Sequence, residues 1–259
     1  MAYVISNQGN TLTMEEFFET LMDYSLIFAG EKHDSRLAHE AELTLLEELF
    51  RRDSHLVLAL EMFERDVQDV VDAYLKGGMP EDCFLESAQP WPNYEQDYRP
   101  LVEFAKDKGI PVIAANVPQR AAALVSRENE ISANVLGPDS VYLPDTVHFD
   151  SREYYDRFMA TLKGMPRGGM MGRLDPEALY KAQVLKDAVM AASLEPFLDR
   201  TILFCCGHFH SDDHLGIPYQ LQKNHPEIKI AVIAFVSSIT ELNDKDTSRL
   251  ADFIWIGEG

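Results

Sequence analysis

Two hydrophobic stretches of the 259-residue chain each end in Gly-x-x-His: Gly30-Glu-Lys-His33 and Gly207-His-Phe-His210. A glycine directly after a buried strand lets the backbone turn sharply, or lets a group approach where a Cβ would clash. The imidazole three residues on can then point back over the end of the sheet. One such motif is weak evidence; two, each closing an apolar run, point to a shared site. Carboxylates fall at matching places, with Glu31 inside the first motif and Glu61 after Leu56–Leu60. Asn116 follows the apolar run Pro111–Ala115. Glutamate and histidine together serve acid–base catalysis, or a mixed oxygen and nitrogen site for zinc, manganese or iron. The expected metal donors are His33, Glu61, His208 and His210, because the last two share a side in an extended chain. Asp212, Asp213 and His214 read instead as a solvated helix start with aspartate as N-cap.

Further groups are secondary. Gln183 and Asp187 stand one helical turn apart and either support the site from behind or form a surface pair. Arg120 either balances site carboxylates or lies exposed on its helix. Trp91, Tyr94 and Tyr98 cluster in a loop that covers the core, or that stacks on an aromatic ligand or ligates iron. Cys206 abuts Gly207 and reads as apolar filler. The chain has no Gly-rich phosphate loop and no Gly-x-Ser-x-Gly elbow.

These residues meet only if the strands that carry them lie parallel. Leu26–Ala29, Leu56–Leu60, Pro111–Ala115, Thr201–Cys206 and Ile230–Val236 are apolar throughout, as strands buried on both faces are. Phe253–Ile256 reads as a final edge strand. Between them run helical patterns: Thr13-Met-Glu-Glu16 is a capping box, Ser35–Arg52 carries Leu37, Ala41, Leu45, Leu46 and Leu49 on one face, and Pro176–Phe197 is long. The alternation predicts an α/β fold, a three-layer α/β/α domain with a central, mainly parallel sheet, in which ligands sit at the strand carboxyl ends. One domain spans 1–259, with a mobile helical or loop insertion around 130–175, where Gly164, Gly168, Gly169 and Gly172 mix with Met165, Met170 and Met171.

Composition narrows the partners. A formal net charge of −20 argues against nucleic acid and against anionic lipid surfaces. Three cysteines without framework spacing indicate a reducing compartment. No apolar run approaches the ~20 residues that span a bilayer, and Met1–Asn7 has neither a basic start nor a cysteine to lipidate. A cytoplasmic protein is expected.

Several segments resemble the ChaN-like family in order from about residue 25 to 222. They are Gly30-Glu-Lys-His-Asp34, Glu61-Met-Phe63, Trp91 with Tyr98-Arg-Pro-Leu101, Ala114–Pro118, Ala182–Ala191, and Gly207–His210 with Gly216-Ile-Pro218. That family is described as iron-regulated and haem-binding, often lipoproteins, and is grouped with the Tiki, TraB and erythromycin-esterase proteins. The resemblance implies the same α/β/α fold, with site roles for Glu31, His33, Glu61 and His210. It also implies haem ligation by a tyrosine, for which Tyr98, Tyr154, Tyr155 and Tyr180 compete. The chain departs from the pattern in lacking a lipoprotein leader and in placing His208 where a small polar residue is usual.

Two functions use the same strand ends. The first is binding of haem or iron, with Trp91, Tyr98 and Tyr154 as cofactor contacts and Asn116, Gln183 and Asp187 behind them. The second is hydrolysis of an ester, lactone or peptide bond, with Glu31 and Glu61 holding a metal or acting as acid and base. His33 or His210 would then activate water, and juxtaposed carboxylates would raise one pKa. A degenerate scaffold is a third reading. The partner expected is haem or another small molecule, and a homodimer is compatible with either function.

Overall fold

The structure, a computed structural model, describes residues 3–164, 175–242 and 247–257. In chain order the elements are β1 (Tyr3–Ser6), β2 (Thr11–Leu12), α1 (Met14–Leu21), β3 (Leu26–Glu31), α2 (Arg36–Arg52), β4 (Val57–Glu64) and α3 (Gln68–Leu75). There follow α4 (Glu81–Ala88), α5 (Tyr94–Asp97), α6 (Arg99–Lys108), β5 (Val112–Asn116), α7 (Gln119–Glu128), α8 (Ala133–Leu136) and α9 (Arg152–Gly164). The last group is α10 (Pro176–Leu194), β6 (Ile202–Gly207), α11 (Ile217–Asn224), β7 (Ile230–Val236), α12 (Thr247–Leu250) and β8 (Phe253–Ile256).

The eight strands form one sheet in the order β2-β1-β8-β7-β3-β6-β4-β5. From β8 to β5 the pairs are parallel, and β1 joins antiparallel. Because side chains alternate across a strand, each parallel strand feeds two cores. Ile27, Ala29, Leu58, Leu60, Leu203 and Ile233 pack with α1, α2 and α6 on one face. Leu26, Phe28, Val57, Ala59, Phe204 and Val232 pack with α10 and α11 on the other. This is the expected helix–sheet–helix layering. No helix among the described residues is long and apolar enough to cross a membrane.

Two expectations change. β8 is interior, because Tyr3–Ser6 forms a strand that covers it from the far side. The aromatic stretch Pro80–Tyr98 folds into α4 and α5, with Gln89 in a left-handed conformation closing α4. Within the span read as an insertion, α8, a 3-10 segment at Gly137–Tyr142 and α9 are formed. The Gly- and Met-rich tract at 165–174 lies outside the described residues.

The β5 edge is closed by a side chain. The amide of Gln68, at the start of α3, donates to the Val112 carbonyl (2.8 Å) and accepts from the Ala114 N–H (2.9 Å). Arg65 adds a 3.3 Å bond to the Ala114 carbonyl. Ala114 is fully buried, so losing this bridge strands polar backbone away from water. Gln68→Ala is therefore expected to cost about 2 kcal/mol, read from the midpoint of urea unfolding. An unchanged midpoint would show that water reaches the edge.

Candidate functional site

The two Gly-x-x-His motifs lie on adjacent parallel strands, with Gly30 opposite Cys206 and Glu31 opposite Gly207. Neither glycine has a positive φ, so a sharp turn is not what requires them. Close approach is. A Cβ on Gly30 would lie 2.8 Å from Ser211 Oγ and 3.3 Å from His208 Cα. A Cβ on Gly207 would lie 2.8 Å from His33 Nε2 and 3.5 Å from Glu61 Oε2. Each motif's glycine makes room for the turn that follows the other strand.

Two polar networks result. In the first, Glu31 is buried at the end of β3, and its Oε1 accepts from His33 Nδ1 (2.7 Å) and from the Tyr98 hydroxyl (2.7 Å). Its Oε2 faces His39 Nδ1 at 2.9 Å, and the same nitrogen lies 3.3 Å from Glu42 Oε2. His39 and Glu42 are buried on α2. In the second, Glu61 Oε2 accepts the Gly207 N–H (2.7 Å) and Oε1 lies 3.4 Å from His210 Nε2. His210 Nδ1 meets Asp187 Oδ1 at 2.5 Å, and Tyr154 donates to Asp187 Oδ2 (2.6 Å). Gln183 donates to the Tyr154 hydroxyl oxygen (3.2 Å). Glu61 sits where the β4–β5 register breaks, rather than at a strand terminus.

The ionisation follows from these contacts. Burial pushes Glu31 up, but hydrogen bonds from His33, His39 and Tyr98 outweigh it and bring the carboxyl to about 2. Burial also opposes Glu61, and the His210 charge with the His210 and Gly207 hydrogen bonds brings it to about 2. His210, disfavoured by burial, is carried up to about 10 by Glu61 and Asp187. The Glu31 hydrogen bond raises His33 against its burial. The carboxyl that does rise is Glu42, through burial and the Glu31 charge. The expected pKa split thus falls between Glu31 and Glu42, while Glu61 goes the same way as Glu31.

The sequence-derived residues are placed as follows. His33 is 46% exposed, packs edge-on against Trp91 (4.8 Å between centroids), and leaves Nε2 with no protein partner among the described residues. His208 and His210 do not share a side, because the chain there is a 3-10 turn. His208 turns outward and pairs with Asp212 (2.8 Å) while His210 turns inward. His208 thus turns away from Glu61 and His210, while Glu61 and His210 face each other. Among the described residues, the metal-competent group within 4.8 Å is Glu31, His39 and Glu42. Asp212 is buried rather than an N-cap; α11 starts later, after Gly216. The Tyr98 and Tyr154 phenols are buried against carboxylates, and burial with the adjacent negative charge raises both, so they stay protonated donors. Asn116 is buried with Oδ1 unpartnered among the described residues, and Arg120, at the wall of the cleft, pairs with Asp139 and Asp66. His39 and Glu42 escaped the reading, though a carboxylate on the stripe of Ala38, Leu45 and Leu49 was a visible anomaly.

A cleft of about 2060 Å³ opens over these strand ends. Ala123, Leu124, Phe158, Leu162 and Leu179 supply apolar walls; Arg127, Arg157 and Lys186 supply cations. Arg127 and Lys186 have no carboxylate partner among the described residues.

The family model for haem-binding uptake proteins of the Tiki superfamily, ChaN, matches residues 17–221. The chain belongs to the ChaN family. The solved structure of cofacial haem binding to ChaN of Campylobacter jejuni is similar over 100% of this chain and 97% of its own, at TM-score 0.77 and 17% identity. A mutant of the erythromycin esterase EreC in its open conformation is similar over 91% and 76%, at TM-score 0.50 and 13% identity. At these identities the ChaN and esterase likenesses establish the fold. Protein RETICULATA-RELATED 5, chloroplastic, of Arabidopsis thaliana is 27% identical over 118 residues. The match takes in 43% of this ChaN-family chain and only 16% of the length of that relative.

Two outcomes are expected from the geometry. Glu61 stabilises the fold above its ordinary 4.5 and loses that contribution as pH falls through about 2. His210 contributes fully below 6.5 and loses it as pH rises through about 10. Thermal stability should therefore peak between these ordinary values, and the alkaline decline should flatten in His210→Gln; an identical decline would clear this pair. Gly207→Ala should push the His33 ring off Glu31, and the raised His33 titration followed by NMR should fall back toward 6.5. A titration left in place would mean the backbone yields instead.

Proposed function

We propose that the chain binds haem in the strand-end cleft, with His33 rather than a tyrosine as the residue facing iron. The observation that carries this reading is the 2.7 Å contact between His33 Nδ1 and Glu31. A carboxylate on one ring nitrogen fixes the tautomer and orientation, and leaves the other nitrogen as a basic donor, the usual arrangement behind a metal-ligating histidine. The cleft suits a large planar ligand, being about twice the roughly 300–1,000 Å³ of ordinary small-molecule pockets. Its apolar walls fit a porphyrin face, and Arg127 and Lys186 fit carboxylate substituents. Trp91 holds the His33 ring from the side. Family membership supports haem, and cofacial haem binding is described for the Campylobacter jejuni protein. Bound haem would supply a redox-active iron; the protein's part is to position it and to keep the imidazole basic.

A second reading, an acid–base hydrolase of an ester, lactone or peptide bond, rests on the Glu61–His210–Asp187 relay and the esterase-like fold. There Glu61 is an ionised carboxylate beside an imidazolium, able to orient water and return a proton.

Hemin titration separates the two. The haem reading expects a shifted Soret band, weakened at least ~10-fold by His33→Ala and hardly changed by Glu61→Gln. Because ligation needs neutral imidazole and the His33 pKa is raised, affinity should grow from pH 6 to pH 9. No Soret shift, together with turnover in an esterase and peptidase panel that Glu61→Gln abolishes, would favour the hydrolase instead.

A further inference from the structure

Behind Glu31, on the side away from the cleft, the geometry points to a buried divalent-cation site formed by Glu31, His39 and Glu42. The three offer a nitrogen and two carboxylate oxygens, all within 4.8 Å of one another. Hydrogen bonding alone leaves the cluster incomplete. His39 Nδ1 faces two carboxyl oxygens at once, Glu31 Oε2 at 2.9 Å and Glu42 Oε2 at 3.3 Å. Glu42 is fully buried, and its Oε1 has no hydrogen-bond partner among the described residues. Bonds of about 2.0–2.2 Å to one cation place neighbouring donors about 3 Å apart, which is the spacing found.

The other ring nitrogen supports the assignment. His39 Nε2 lies 3.3 Å from the His33 carbonyl oxygen, and Asp97 Oδ2 is 3.6 Å away. Donation in that direction would hold the ring in place when a cation displaces the proton from Nδ1. A bound cation would displace the protons of His39 Nδ1 and Glu42, and two carboxylates with a neutral imidazole would then balance its charge. One nitrogen and two oxygens suit zinc, manganese or iron(II). The cation would fix Glu31 from behind while Oε1 still holds His33 and Tyr98. The inference stands whether or not the cleft takes haem, because it uses none of the residues assigned to face the porphyrin.

The test is metal content of the chelator-free full chain, followed by stripping and titration with Zn²⁺, Mn²⁺ and Fe²⁺. We expect about one equivalent per chain and a rise in melting temperature of about 5 °C at saturating metal. Glu42→Gln, nearly isosteric, should lower affinity more than ~10-fold with an unchanged far-UV circular dichroism spectrum. His39→Gln serves the same purpose if that variant does not fold, and His33→Ala should leave metal binding intact. Two results overturn the assignment: no stoichiometric metal and no melting shift with any of the three ions, or binding lost in His33→Ala and kept in Glu42→Gln.

Discussion

Everything at the strand ends depends on two adjacent backbones approaching more closely than side chains allow. Gly30 lets the turn after β6 lie across β3, and Gly207 lets the His33 ring lie across β6. The parallel register sets these exchanges side by side, with Glu31 opposite Gly207. Because the approach is reciprocal, the two motifs cannot move independently. A shift of either turn disturbs both carboxylate networks, including the Gly207 N–H that holds Glu61. The apolar cores on the two faces of the sheet fix the strands, and the glycines convert that rigidity into fixed positions for the polar groups.

The site concentrates charge that the core would otherwise reject. Desolvation opposes each of Glu31, Glu61 and His210, and in each case the opposing partner wins. Single removals are then costly, because the remaining partner is left charged and dry. Tyr98 and Tyr154 belong to the same networks: each phenol donates to a buried carboxylate. The half-exposed His33 is different, since one side is anchored to Glu31 and the other is open to the cleft.

Much of this was legible in the sequence, for reasons that also explain what was not. Apolar strands closed by glycine or followed by a polar residue are local patterns, so β3, β4, β5 and β6 could be read directly, although β4 runs on past Glu61 to Glu64. Asp187 was legible as a candidate only, because helical spacing does not say which side of α10 faces His210. The direction of the Tyr98 and Tyr154 phenols depends on tertiary packing and left no local trace. His208 was misplaced by assuming an extended chain where the backbone makes a 3-10 turn. His39 and Glu42 were hidden by the regular apolar stripe of α2, whose periodicity drew attention away from the polar residues within it. β1 is short and only part-buried, which leaves no local pattern to read, and without it β8 reads as an edge.

The Gln68 amide on β5 bears on how copies of the chain can meet. It occupies the donor and acceptor positions a ninth strand would use, while the opposite margin of the sheet ends in the two-residue β2. Among the described residues, one border is thus partly capped and the other is short, both features that discourage pairing with another strand. Sheet extension between molecules, and the fibrillar growth that can follow from it, is thereby disfavoured at both borders.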